Sequence, residues 1–320
     1  MKKVLEKIKR QLRKGKRVIL AVHTDPDGDA LGSMLGLGMV LEKLGLSVTY
    51  YSEDGVPRVY RFLAGAEKVR NELFPPRHFD LAVVVDCSDL SRVGQKLDLR
   101  KMASLLINID HHPDNSQFGD INYVVKTSSV AEQIFDLLRF LKIKLDQKVA
   151  ECLYVAMITD TGNFRYENTT PKTFKAAAFL LQTGINPHLL TTRVYDTKSL
   201  ASIKILAQAL SHLKFSPSHK VAWTVVTKEM MKEASAKGED LMGMVDFIRT
   251  IDGVEVAILF REEEGKVKIN FRSKSVVNVS ELAKVFGGGG HDKAAGAALE
   301  GKKLEEVEEV VIKEAIKRAE

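Results

Sequence analysis

The chain has 320 residues, 45% hydrophobic and 28% charged, the composition of a globular protein with room for two domains. Its two cysteines, Cys87 and Cys152, exclude a disulfide framework and lack zinc-type spacing; both lie in apolar runs, as small core residues of a reducing compartment do. The net charge of +6 suits an anionic ligand such as a nucleotide or RNA, although neither zinc-finger spacing nor an RRM-type aromatic signature is present.

Residues 1–22 are basic and then apolar, as in a signal peptide, but the apolar run is too short and ends at once in an acidic loop. Val4, Leu5, Ile8 and Leu12 recur at helical spacing, so this segment is expected to be an amphipathic helix feeding a strand. No stretch is long enough to span a membrane, and the expected location is the cytoplasm.

Residues 17–22, 46–51, 81–86 and 104–110 are short apolar runs without clean alternation, which predicts strands buried on both faces. Helical patterns at 32–44 and 129–142 separate them, and 146–159 and 172–182 continue that pattern. Ser128 and Ser129 are expected to cap a helix starting near Val130, where a phosphate is a secondary expectation. Strand and helix in alternation argue for an α/β domain with a mostly parallel sheet flanked by helices.

Ile185-Asn186-Pro187 is a break, 188–213 reads as helix, and Ser216-Pro217-Ser218 is a second break. Beyond it, 220–227, 254–260 and 266–272 read as strands and 302–319 as a helix, which predicts a smaller α+β domain. The expected organisation is a catalytic domain over 1–187, a helical linker over 188–216 and a second domain over 217–320. Trp223, within a strand, reads as core, and Arg165 as a salt-bridge or substrate residue.

The chemistry-bearing residues gather where strands end. His23-Thr24-Asp25-Pro26-Asp27-Gly28-Asp29 follows the first strand immediately, at the carboxyl end where open α/β sheets build their sites. Asp86 closes the strand at 81–86, Asp110-His111-His112 closes the one at 104–110, and Asp160 ends a helix. Singly, each has an ordinary structural explanation as a turn, a cap or a hydrogen-bonded loop. Together they predict one cluster in which divalent cations offset the repulsion between carboxylates. Two imidazoles among four carboxylates, with no thiolate, suit two ions of the manganese class.

These residues resemble the DHH phosphoesterase superfamily, which takes its name from the triplet at Asp110-His111-His112. The stretch 287–296 (GGGGHDKAAG) is similar to the small DHH-associated substrate-binding domain, and the two-domain size looks like the stand-alone nanoRNase and pAp-phosphatase subgroup. The resemblance implies one Mn2+ on His23, Asp27 and Asp86 and a second on Asp29, Asp86, His111 and Asp160, with Asp86 bridging. It implies His112 facing the scissile phosphate as general acid and Asp110 orienting the histidines, in an in-line hydrolysis by a hydroxide between the ions. Arg272 and the glycines Gly288, Gly289 and Gly290 with His291 are expected to bind substrate, the glycines by letting backbone N–H groups approach a phosphate. In that family the small domain holds the nucleotide end away from the cut, which restricts the substrate to a short single strand.

The implied reaction is hydrolysis of short oligonucleotides, dinucleotides such as pApA included, to mononucleotides, and of pAp to AMP. A homodimer is compatible with the resemblance. A family II-like inorganic pyrophosphatase shares the metal motifs and is the alternative enzyme, although the glycine-rich tail favours a nucleotide. A non-catalytic nucleotide- or RNA-binding regulator has no evident use for a full ligand set.

Overall fold

The Val/Ile/Leu runs of the N-terminal half become one parallel sheet in the computed structural model, which describes residues 1–73 and 78–320. The chain divides into two units, Met1–Thr197 and Lys198–Glu320. The first contains α1 (Lys2–Lys14), β1 (Arg17–Ala21), α2 (Gly28–Lys43), β2 (Ser47–Tyr51), β3 (Val69–Arg70), β4 (Leu81–Val85), α3 (Leu99–Met102), β5 (Leu106–Asp110), β6 (Ile121–Val124), α4 (Val130–Phe140), α5 (Gln147–Asp160), α6 (Pro171–Leu181) and α7 (Pro187–Tyr195). The strand order is β3-β2-β1-β4-β5-β6, and every pairing is parallel. β4 and β5 are buried along their whole length, which is why their sequences are continuously apolar. Strand order reverses between β1 and β4, and ligands of open α/β sheets bind at the carboxyl ends of such a pair.

Helix α2 is almost entirely buried and lies directly on α5. Glycine permits that approach. A Cβ on Gly32 would stand 2.4 Å from the Cys152 carbonyl oxygen and 2.9 Å from Ala156 Cβ, and one on Gly36 would stand 3.0 Å from Leu153 Cδ2. Gly32→Ala is therefore expected to destabilise the protein by about 1–3 kcal/mol through overpacking. An unchanged denaturant midpoint would mean that α2 and α5 separate without cost. Because α2 carries Asp29 and α5 carries Asp160, this contact also fixes the spacing of two candidate ligands.

The second unit contains α8 (Leu200–Ser211), β7 (Lys214–Phe215), β8 (Val221–Val226), α9 (Lys228–Glu233), α10 (Met244–Arg249), β9 (Val256–Glu263), β10 (Lys266–Ser273), α11 (Val279–Lys284), β11 (Gly289–His291), β12 (Ala294–Glu300) and α12 (Leu304–Ala319). Its sheet has the order β11-β12-β10-β9-β8-β7, mixed because β8 and β9 run parallel while the other pairs are antiparallel. In β10 the apolar residues Val267, Ile269 and Phe271 enter a core with α11 and α12, while Lys266, Lys268, Asn270 and Arg272 share the opposite face.

Several elements differ from the sequence expectation. The helical stretch at 188–213 is two helices, α7 and α8, because Ser199 caps α8, its Oγ accepting the Ser202 N–H at 2.8 Å. The short strands β3, β6 and β7 and the Ala/Gly-rich β12 have no counterpart in that expectation; tertiary pairing supplies what their local sequence lacks. Trp223 is half-buried, and its Nε1 donates to Glu308 at 2.7 Å. Cys87 and Cys152 are buried free thiols, and no helix among the described residues is long and apolar enough to cross a membrane.

Candidate metal centre

The carboxyl ends of β1, β4 and β5 bring together residues far apart in sequence. Beyond β1 the chain passes through His23 and enters α2, whose N-cap is Asp27, its carboxylate accepting the Ala30 N–H at 3.0 Å. Beyond β4 the Asp86 N–H continues the ladder to the Ile109 carbonyl at 3.0 Å, and the backbone then turns with Asp86 at φ 57°. A non-glycine residue in this left-handed region is uncommon and is kept where its surroundings demand it. Here the turn accompanies a side chain buried among the other acids.

Three triads of donor atoms result among the described residues of the first unit; one, Asp86, Asp110 and His112, is already closed by the His112–Asp110 hydrogen bond, and the other two are open. One atom each from His23, Asp27 and Asp86 lies within 4.8 Å of the other two, and the same holds for Asp29, His111 and Asp160. Asp86 stands by both: its Oδ2 is 3.8 Å from His23 Nε2 and its Oδ1 is 3.6 Å from His111 Nε2, which in turn is 3.6 Å from Asp160 Oδ2. These separations are too long for hydrogen bonds. They are close to the ~3–3.5 Å expected of neighbouring ligands that share an ion at about 2.1 Å. Asp86 Oδ1 is also a buried oxygen with no hydrogen-bond partner among the described residues, a costly state for a carboxylate unless a cation fills it. Mixed imidazole and carboxylate donors, held this way, fit divalent cations.

Backbone carbonyls fix the ring orientations. His23 Nδ1 donates to the Thr24 carbonyl at 2.7 Å and His111 Nδ1 to the Thr127 carbonyl at 3.1 Å, so in each neutral ring Nε2 carries the lone pair. His112 is held differently, its Nδ1 donating to Asp110 Oδ1 at 2.8 Å. Asp110 thus orients His112, whereas His111 is oriented by Thr127. The other Asp110 oxygen accepts Asn115 Nδ2 at 2.6 Å, so this carboxylate is already engaged by protein donors.

Burial pushes the Asp86 carboxyl well above the usual carboxylate range, and the charges of Asp29, Asp27, Asp110 and Asp160 push it further. Burial also raises Asp160 to about 8 and Asp29 to about 6, against the opposing pull of His111. Burial lowers the His23 pKa and so favours its neutral, ligating form. At His111 burial acts downward, but Asp160 and Asp29 outweigh it and the net shift is upward. For Asp110 burial acts upward, yet the hydrogen bonds and charges around it, His112 foremost, hold it below the ordinary range. The cluster is an anionic cavity in need of positive charge, with one carboxylate kept ionised beside His112.

Asp29 has a second task. Its carboxylate accepts the Val130 N–H at 2.6 Å, the Ala131 N–H at 3.0 Å and the Ser33 hydroxyl at 3.0 Å. The start of α4, capped by Ser129 as expected, is therefore met by a protein carboxylate where a phosphate is the secondary expectation. Asp25 is exposed, outside these triads, with its N–H on Asp54. Arg165 donates from Nε to the Gly162 carbonyl at 2.7 Å. Sequence reasoning misses Asn115, Gln133 and Asn168. Gln133 Nε2 donates to the Asp110 carbonyl at 2.8 Å, and Asn168 Nδ2 to the Asp160 carbonyl at 3.0 Å. Only their short separation in sequence from the two aspartates, in the cases of Asn115 and Asn168, could have signalled them.

In the second unit, Arg272, Ala294 and His291 stand side by side across β10, β12 and β11 and so face the same way. Arg272 Nε donates to Asp246 at 3.0 Å, an ion pair rather than a solvated strand end. The glycines have a packing reason of their own. A Cβ on Gly288 would stand 2.1 Å from the Gly296 carbonyl oxygen, and Gly290, at φ 141°, would place one 2.6 Å from the Ala294 oxygen. Gly289 and Gly290 are strand residues of β11, not members of an open loop.

Comparison with known proteins agrees with this geometry. The description "DHH family, N-terminal domain" matches residues 17–157, and "DHHA1 domain" matches residues 201–318. The bifunctional oligoribonuclease and PAP phosphatase NrnA of Thermus thermophilus is 34% identical over 299 residues, 92% of this chain and 88% of that protein. This chain belongs to the DHH family. The NrnA of Bacillus subtilis is 30% identical over 286 residues, 88% of this chain and 89% of that protein. As a DHH-family member with such relatives, the protein is a phosphoric-ester hydrolase. Among solved structures, an exopolyphosphatase-related protein from Bacteroides fragilis has a TM-score of 0.89 at 26% identity, with 99% of this chain and 96% of that chain covered. RecJ in complex with Mn2+ from Thermus thermophilus shares the fold at a TM-score of 0.55 and 16% identity, over 99% of this chain and 54% of that chain.

Proposed function

We propose that this DHH-family hydrolase cleaves very short oligonucleotides to mononucleotides, dinucleotides such as pApA included, and removes the 3′-phosphate of pAp. The observation that carries the metal part of the reading is Asp86, a buried carboxylate with an oxygen toward each open triad. His23, Asp27 and Asp86 would hold one divalent ion and Asp29, Asp86, His111 and Asp160 a second, with manganese the ion best suited to two imidazoles among four carboxylates. Bound there, divalent ions lower the pKa of water and neutralise charge on phosphoryl oxygens. His112, its Nδ1–H held by Asp110, presents Nε2 to protonate the leaving oxygen. The substrate class is supported by the names of the relatives, bifunctional oligoribonuclease and PAP phosphatase. It is supported further by Arg272 and His291 on one face of the second sheet. Asp246 aligns the guanidinium there for a phosphate or a base.

The test is a product assay with manganese on pApA, pAp, a long RNA and inorganic pyrophosphate separately. AMP from pApA and from pAp, released much faster than any product of the long RNA, is the expected result. Hydrolysis of pyrophosphate alone would overturn the nucleotide reading while leaving a hydrolase in place.

A further inference from the structure

The positive charge of this chain is concentrated in one element. Of its 48 lysines and arginines and 42 acidic residues, nine basic residues and one glutamate lie in residues 1–17, which leaves 39 basic against 41 acidic residues in the rest. Helix α1 buries Leu5, Ile8 and Leu12 against the sheet domain and turns its other face to solvent. Lys3, Lys7, Arg10 and Lys14 fall at i, i+4, i+7 and i+11, a single exposed stripe roughly 16 Å long. Among the described residues no carboxylate lies within ion-pair distance of these four. Lys9 spans from the helix to the Phe140 ring, 5.3 Å from its centroid, and two and four residues past Phe140 stand the exposed Lys142 and Lys144. The middle of the stripe stands away from the candidate metal centre: Lys9 lies over Phe140 at the carboxyl end of α4, whereas Asp29 meets the amino end of α4 at Val130, about 15 Å along that helix.

We propose that the exposed face of α1 is a docking surface for the phosphate backbone of single-stranded RNA, separate from the hydrolytic site. A row of unneutralised cations one helical turn apart suits a polyanion, which gains counterion-release energy at every contact. A membrane surface fits less well, because the apolar side of α1 is already buried in the core and its only exposed large hydrophobic residue is Met1. A protein interface would want an apolar or aromatic centre, which this face lacks. Such docking would hold the enzyme on longer RNA, where endonucleolytic or exonucleolytic reactions release the short ends proposed above as its substrate. The inference goes beyond that reading, and the binding measurement does not depend on it.

The experiment uses a fluorescein-labelled, hydrolysis-resistant 2′-O-methyl RNA 20-mer and fluorescence anisotropy between 50 and 200 mM KCl, with excess pApA present. The wild-type protein is expected to bind with a steep salt dependence that pApA does not abolish. In the variant Lys3→Gln/Lys7→Gln/Arg10→Gln/Lys14→Gln, four contacts of about 0.7 each should vanish from the log–log slope, which falls by about 3. Glutamine keeps good helix propensity, and an unchanged melting temperature with unchanged pApA hydrolysis accompanies the expected result. Equal binding by the variant, complete displacement by pApA, or binding to phosphatidylglycerol vesicles but not to RNA would each overturn the proposal.

Discussion

Asp86→Asn is expected to retain no manganese after gel filtration and to lose turnover on pApA by about a thousandfold or more. The size follows from the role. A pair of metal ions supplies several kcal/mol of transition-state charge stabilisation, and each 1.36 kcal/mol is tenfold in rate. Asp86 is the one carboxylate that stands by both open triads, 3.8 Å from His23 and 3.6 Å from His111, so a single amide would weaken both positions at once. The fold should survive, because Asn keeps the shape, and burial and four neighbouring aspartates already disfavour a charged carboxylate at this position. The metal-free variant should melt no lower than the metal-free wild type. A variant that still binds two manganese ions per chain, measured by elemental analysis, would remove Asp86 from the ligand set.

His112→Ala should separate metal binding from catalysis. Loss of a general acid costs typically about 10²–10⁴-fold, so turnover falls by that factor while manganese content stays near wild type. The triad that contains His112 is closed by its Nδ1–Asp110 hydrogen bond, and His112 belongs to neither of the two open triads of the first unit. Asp110→Asn is the milder companion: the ring loses the carboxylate that holds its Nδ1–H in place. An outer-shell change of this kind costs about 10–100-fold. A metal-free His112→Ala protein would assign that ring to the ligands, and an Asp110→Asn enzyme at wild-type rate would show the pairing to be idle.

The strands and most helices are legible because their signal is local. β4 and β5 read as buried strands from apolar runs alone, and the stripe of Val4, Leu5, Ile8 and Leu12 marks α1 directly. The break inside 188–213 escapes notice because a serine N-cap is a weak mark amid good helix formers. β12 escapes because Ala and Gly carry no strand preference, and its pairing with β10 and β11 comes from elsewhere in the fold.

Sequence by itself determined which residue types stand at the strand ends: a histidine and aspartates after β1, an aspartate after β4, Asp-His-His at the end of β5. It determined them because strand ends are written in short runs of side chains. Only the tertiary structure decided which of these donors meet. Residues 23, 86, 111 and 160 converge because β1, β4 and β5 are neighbours in the sheet and glycines let α2 lie against α5. It alone gave Asp110 to His112 and Thr127 to His111, and laid the Asp29 carboxylate on the start of α4. It also made Gly289 and Gly290 strand residues, paired with Gly296 and Ala295. The convergence of the strand ends, the α2–α5 contact and the Asp29–α4 hydrogen bonds join segments far apart along the chain, and the periodicity of a single segment carries no information about the partner it will find.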